Sequence, residues 1–289
     1  MLGLATGCER LLSIQDPAAD RGDAGGGDDG GGPIDGGLPR SSPILLSEVV
    51  LTPTMGEMIE IVNTSAQPVD LSTYYLSDSG NYFRLPVQAA VDLNDFIVKF
   101  PQGAQIKGHA AMTIAIDTPL HFSMQYPGVA ADYSVSDDSM TKIAMNGPPT
   151  LTNGGEPIIL FQWDGRSDLV RDVDIVLVGA ATGTNGLTSK SGVSQDGSDP
   201  GSASSQYAVD LDKLQMLQMQ TTPPPPPPPG SGFSAKRIAL EAGHETQNGD
   251  GNGQSGDDET SEDTSQTWDG TTAHPFTAPT PGTVEVQLP

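Results

Sequence analysis

The chain is short of cysteine, of positive charge and of long apolar runs, and each shortage excludes a class of protein. Cys8 is the single cysteine in 289 residues, so there is no intrachain disulfide and no multi-cysteine metal site. Thirteen basic side chains stand against thirty-seven acidic ones, a formal charge of −24. Such a chain repels nucleic acid phosphates and anionic lipid head groups, so no nucleic acid partner is expected. Solubility alone is a sufficient reason for an acidic surface. After the first residues no apolar stretch approaches the ~20 residues of a membrane span. Four histidines, His109, His121, His244 and His274, occur without the spacing that sets two on one helix face. There is no Gly-x-Ser-x-Gly elbow and no glycine-rich phosphate loop. Adjacent acids such as Asp137-Asp138 fall in polar stretches where carboxylates are normally solvated. A non-enzymatic protein is expected.

What the chain has in quantity is glycine and proline, 35 and 25 residues, concentrated in particular segments. One folded core with low-complexity attachments is the organisation this predicts. Residues 9–42 read as a linker. From residue 16 its glycines and its acids Asp20, Asp23, Asp28, Asp29 and Asp35 leave almost nothing to bury, so it is expected to be a disordered tether extended by self-repulsion. Pro223 to Pro229 form an unbroken run, a stiff polyproline spacer inside a long insertion at about 184–232. The stretch 248–263 interleaves acids with glycines. Hard oxygen donors on a flexible backbone suit Ca²⁺, with Asp250, Asn252, Asp257 and Asp258 as the expected donors. The segment fits neither an EF-hand loop nor a glycine-aspartate repeat, and an acidic solvated loop is the alternative reading. No other cofactor is expected.

From residue 43 short apolar runs alternate with Gly, Pro, Asn and Asp. They predict strands at 44–51, 58–63, 73–77, 82–85, 96–100, 111–116, 157–162 and 173–178, and so an all-β sandwich or barrel. Helical spacing shows only at 209–220, through Leu211, Leu214 and Leu217.

The beginning of the chain carries an address. Leu4-Ala5-Thr6-Gly7-Cys8 resembles a bacterial lipobox, in which small residues admit a peptidase before a cysteine that receives diacylglycerol. The start lacks the basic and full apolar regions of an export signal, and a start site placed too far downstream accounts for that. Residues 1–8 are thus read as a shortened lipoprotein signal, with Cys8 as the lipid attachment site. Glu9 is compatible with outer-membrane sorting.

Residues 44–78, "ILLSEVVLTPTMGEMIEIVNTSAQPVDLSTYYLSD", resemble the start of the lamin-tail domain. The matching elements are Ser47-Glu48-Val49, the strand Glu57 to Asn63, the turn Pro68 to Ser72, and Tyr74-Tyr75-Leu76 where the family often has Trp. Asn63 and Asp70 are of the kind that bond their own backbone at turns. Further on, "LTNGGEPIILFQWDG" resembles the family's Asn-Gly-Gly-Glu hairpin followed by an Asp-Gly turn, and "FSAKRIAL" with "TSQTWDGTTAHPFTAPTPG" its closing pieces. The resemblance implies an immunoglobulin-like β-sandwich over 43–283, interrupted by the proline-bearing insertion and followed by a tail at 284–289. With the lipobox it implies a lipid-anchored protein of the outer membrane or cell surface, whose sandwich binds or adheres to an extracellular protein or polymer. The alternatives are an accessory domain partnering a separate extracellular hydrolase and a structural envelope protein.

Overall fold

The computed structural model describes residues 42–179, 187–188, 190–201, 203–208, 228–244, 252–253 and 258–289. Cys8, the tether up to residue 41 and the helical pattern at 209–220 lie outside these residues, as do most of the polyproline run, Asp250 and Asp257.

Two five-stranded sheets make an all-β sandwich. In chain order the strands are β1 Ile44–Val50, β2 Met58–Asn63, β3 Val69–Asp70, β4 Tyr74–Ser77, β5 Phe96–Lys99, β6 Gln105–Ile106 and β7 Ala111–Ala115, then β8 Tyr133–Ser134, β9 Thr141–Met145, β10 Gly155–Gln162, β11 Arg171–Gly179, β12 Ser194–Gln195, β13 Ser205–Gln206 and β14 Ala235–Lys236. One sheet runs β14-β1-β2-β7-β8 and the other β11-β10-β4-β5-β9, while β12-β13 and β3-β6 are small ribbons. All pairs are antiparallel except β7 with β8. Helix α1 spans Pro119–Gln125 and α2 spans Thr264–Thr267.

Alternation decides which face each side chain takes. Ile44, Leu46, Ile59 and Ile61 of one sheet meet Leu76, Phe96, Val98, Ile158, Leu160 and Val176 of the other in the central core. A register shift between Leu46 and Glu48 adds a residue to β1, so that Leu46 and Val49 both point inward.

The outer faces are covered as well, which is why these strands read as continuous apolar runs. Tyr82, Phe83, Leu85, Leu187 and Tyr207 lie with Tyr75, Ile97, Ile159, Phe161, Ile175 and Leu177 behind the β10 sheet. Phe122 of α1 seals Val50, Met58 and Ala115, and Val286 near the C-terminus packs with Leu45 and Val62.

Three local readings are corrected. The predicted strand 82–85 is a 3₁₀ turn, Tyr82–Arg84. Its short run follows Gly80-Asn81 and lies over an already paired sheet, and three apolar residues with Arg84 among them carry no period that separates strand from turn. Helix α1 was not anticipated; Thr118 accepts the amide of His121 and Pro119 opens the first turn. Asn153-Gly154-Gly155 is not a hairpin turn, because β10 pairs with β11 and β4 and not with β9. The hairpin is at Asp164-Gly165, where Gly165 has φ +85° between β10 and β11.

Turn and closing residues act as their chemistry predicts. Asn63 Nδ2 donates to the Gln67 carbonyl while its Oδ1 accepts the amide and hydroxyl of Ser65, and Asp70 accepts the amide of Ser72. Arg237, fully buried, donates to Asp174 at 2.7 Å, to Glu262 and to the Leu46 carbonyl, and lies 5.0 Å from the centre of the Trp268 ring. Asp174 Oδ2 also accepts the Leu46 amide. The late segments are thereby tied to β1 and β11.

Candidate functional site

Antiparallel pairing brings the start of β2, the ends of β1 and β7, the end of β4 and the starts of β5 and β10 to one end of the sandwich. Glu57 joins the two sheets there. Its carboxylate accepts the Thr150 hydroxyl and the Leu151 amide from the segment leading into β10. Burial pushes the Glu57 carboxyl up to about 7, against the pull of those hydrogen bonds.

Two features occupy this end. The first is apolar and exposed. Leu120 and Met124, one turn apart on α1, are 66% and 62% exposed, so they share a helix face. Met55 sits on the 3₁₀ turn Thr54–Gly56, held to α1 where the Tyr126 hydroxyl donates to the Gly56 carbonyl. Leu93, 70% exposed, immediately precedes Asn94, whose amide donates to the Asn146 carbonyl. Of the six exposed large apolar side chains among the described residues, these four are at this end, and so is Phe233, which precedes β14, whose Ala235 faces Val49 near the end of β1.

The second feature is acidic and buried. Asp78 follows β4, Asp95 precedes β5 and Glu156 is near the start of β10, and one carboxylate oxygen of each lies within 4.8 Å of the others. Asp78 Oδ1 accepts the Phe96 amide at 2.7 Å, Glu156 Oε2 accepts the Thr152 amide, and Asp95 takes a hydrogen bond from Ser79. Burial first, then the negative charge of Asp95 and Glu156, hold the Asp78 carboxyl well above its ordinary value. Asp95 is pushed up to about 6, chiefly by burial.

Another carboxylate group, Asp168, Asp196 and Asp199, lies on the β10–β11 connection and the β12–β13 ribbon. Asp168 spends both oxygens on the chain, accepting from the Gly197 amide and from the amide and hydroxyl of Ser205. That arrangement staples loops together.

Of the calcium donors expected from sequence, the structure describes Asn252 and Asp258. Asn252 uses both ends of its amide on Ala208, accepting from the amide and donating to the carbonyl. Asp258 is buried and accepts the amide and hydroxyl of Thr260. Asp78, Asp95 and Glu156 were missed. Each looks like an ordinary turn or strand-end acid, and only the neighbouring positions of β10, β4 and β5 bring them together. Among the histidines, His121 pairs with Asp117 at 2.7 Å in the α1 cap and His109 is exposed in a turn at φ +52°.

No protein-family profile matches the chain, and no curated protein matches it. Among solved structures it is similar to a DUF4876 family protein from Bacteroides thetaiotaomicron, at 11% sequence identity and a TM-score of 0.35, over 68% of this chain and 63% of that one.

Proposed function

We propose that this protein is a non-enzymatic binding or adhesion module of the outer membrane or cell surface, anchored by lipid at Cys8 and displayed on its glycine-aspartate tether, with a lamin-tail sandwich as the working part. The observation that supports the reading most is the gathering of Met55, Leu93, Leu120 and Met124 at one end of the sandwich, outside the core. Exposed apolar residues collected in one place, on a chain of charge −24, suit an interface with an apolar centre and a charged rim. The partner this chemistry selects is an extracellular protein with an apolar spot ringed by lysine and arginine.

The test is binding of a surface or secreted protein, captured on the purified chain, identified and then measured by calorimetry. Leu120→Asp with Met124→Asp should weaken binding at least about tenfold, and Gln67→Asp, in the exposed turn after β2 at the opposite end of the sandwich, should leave it unchanged. Added salt should slow association, as expected for a basic partner. Equal affinity of the double variant would overturn the docking face, and so would burial of that face in a concentration-dependent dimer. Capture of a hydrolase through this face would make the module that enzyme's accessory. Intact-mass spectrometry with a Cys8→Ser control tests the anchor separately.

A further inference from the structure

Several buried acids near the core have cationic partners that neutralise them. Asp174 and Glu262 share Arg237, Asp172 pairs with Lys190 at 2.7 Å, and Glu48 faces Lys236. Among the described residues Glu57 and Glu60 have no such cation close by, but both oxygens of each accept hydrogen bonds. Asp78 is different. It is 1% exposed, and its Oδ2 is buried without a hydrogen-bond partner among the described residues although Oδ1 is held by Phe96. The charged side chains acting on it most strongly are Asp95 and Glu156, which are negative too. Three carboxylates held this closely in a buried place must be neutralised, by protons or by a cation.

We propose that Asp78, Asp95 and Glu156 bind one calcium ion at the end of the β10-β4-β5 sheet, the free oxygen of Asp78 being one of its ligands. An all-oxygen, all-anionic donor set without histidine or cysteine selects a hard cation. Burial and donors drawn from three separate strand ends favour Ca²⁺, which accepts irregular coordination, over Mg²⁺, which keeps several waters and demands an octahedron. The ion would tie the ends of three neighbouring strands together beside Leu93. The site is distinct from the acidic stretch at 248–263, and it does not depend on what docks at α1.

The test is calorimetric titration of the chelator-stripped full chain with CaCl2, alongside thermal melting. Asp78→Asn, Asp95→Asn and, as a control, Asp257→Asn are carried through both. The expected result is binding whose saturation, at roughly a hundred times Kd, raises the melting temperature by about 5–10 °C. The response should be lost in Asp78→Asn and Asp95→Asn and kept in Asp257→Asn. Metal-free Asp78→Asn should melt above metal-free wild type, because the buried amide is neutral without taking up a proton or a cation, and that shows the variant is folded. Wild-type protein that neither binds Ca²⁺ nor gains melting temperature would overturn the proposal. So would a response that survives Asp78→Asn, or one that Asp257→Asn abolishes.

Discussion

At the scale of single residues, stability is set by how each buried charge is answered. Arg237 is fully buried between Asp174 and Glu262, and those carboxylates hold its guanidinium charged. Burial pushes Asp174 up to about 6 while Arg237 pulls it down. Arg237→Ala would leave two carboxylates buried without a cation and strip the Trp268 ring of its neighbour, so a loss of about 3–5 kcal/mol is expected. A urea midpoint measures it, and a change within experimental error would show that water reaches the pair. Arg237→Lys should recover only part of the loss, since one ammonium cannot donate to Asp174, Glu262 and the Leu46 carbonyl in the same fork.

Glu60 gives a pH test of the opposite kind. Its carboxyl accepts hydrogen bonds from Ser47, Thr113 and Gly282, yet burial pushes it up to about 7 from an ordinary value of 4.5, with Glu48 adding repulsion. The folded chain then holds this proton more tightly than the unfolded chain does. Its contribution to stability is fully present below about pH 4.5 and is lost as the pH rises through about 7. Glu60→Gln should therefore shrink the fall in melting temperature between about pH 5 and about pH 8. An unchanged fall would mean that Glu60 titrates alike in both states.

At the scale of elements, the turn that closes over Asn63 depends on a glycine for space and not for a left-handed backbone. A Cβ on Gly108 would stand 2.2 Å from the Ala66 carbonyl oxygen and 2.3 Å from its carbon, both main-chain atoms. Gly108→Ala should force the turn open and cost about 1–3 kcal/mol, with faster exchange of the His109 amide that donates to the Ser65 carbonyl. Gly56→Ala should cost less, because its nearest neighbour at 2.6 Å is the flexible side chain of Gln125. Protection of His109 unchanged in Gly108→Ala would show that the Ala66 peptide can rotate away.

Much of this element scale is legible in the sequence. Strands such as 58–63 and 157–162 announce themselves through their apolar runs and the turn residues that bound them. The reading failed where burial comes from a covering layer. Tyr82, Phe83 and Leu85 look like a strand because they are buried, but they are buried by lying on the sheet and not by joining it. Helix α1 was missed because its exposed face carries Leu120 and Met124, which blurs the polar-apolar contrast that marks a surface helix. The acid group Asp78, Asp95 and Glu156 was out of reach for another reason. Its members are distant in sequence, and strand order, which composition does not encode, makes them neighbours.

At the scale of the whole molecule, the excess of acid is a force on the fold as well as a guide to partners. A chain with charge −24 repels itself when compact, and that repulsion is relieved by screening. Raising NaCl from about 10 mM to about 150 mM shortens the screening length from roughly 30 Å to roughly 8 Å, so the melting temperature should rise over that range and level off beyond it. The buried pair of Lys190 with Asp172 and the pairs around Arg237 are shielded from salt, so they should not reverse the trend. Calcium at matched ionic strength separates general screening from a specific site. If the wild-type chain gains more from Ca²⁺ than from Na⁺ or Mg²⁺, and Asp78→Asn gains the same from all three, the surplus belongs to the strand-end carboxylates. If all three salts act alike on the wild type, screening accounts for the whole effect and the carboxyl group at Asp78 is neutralised by a proton.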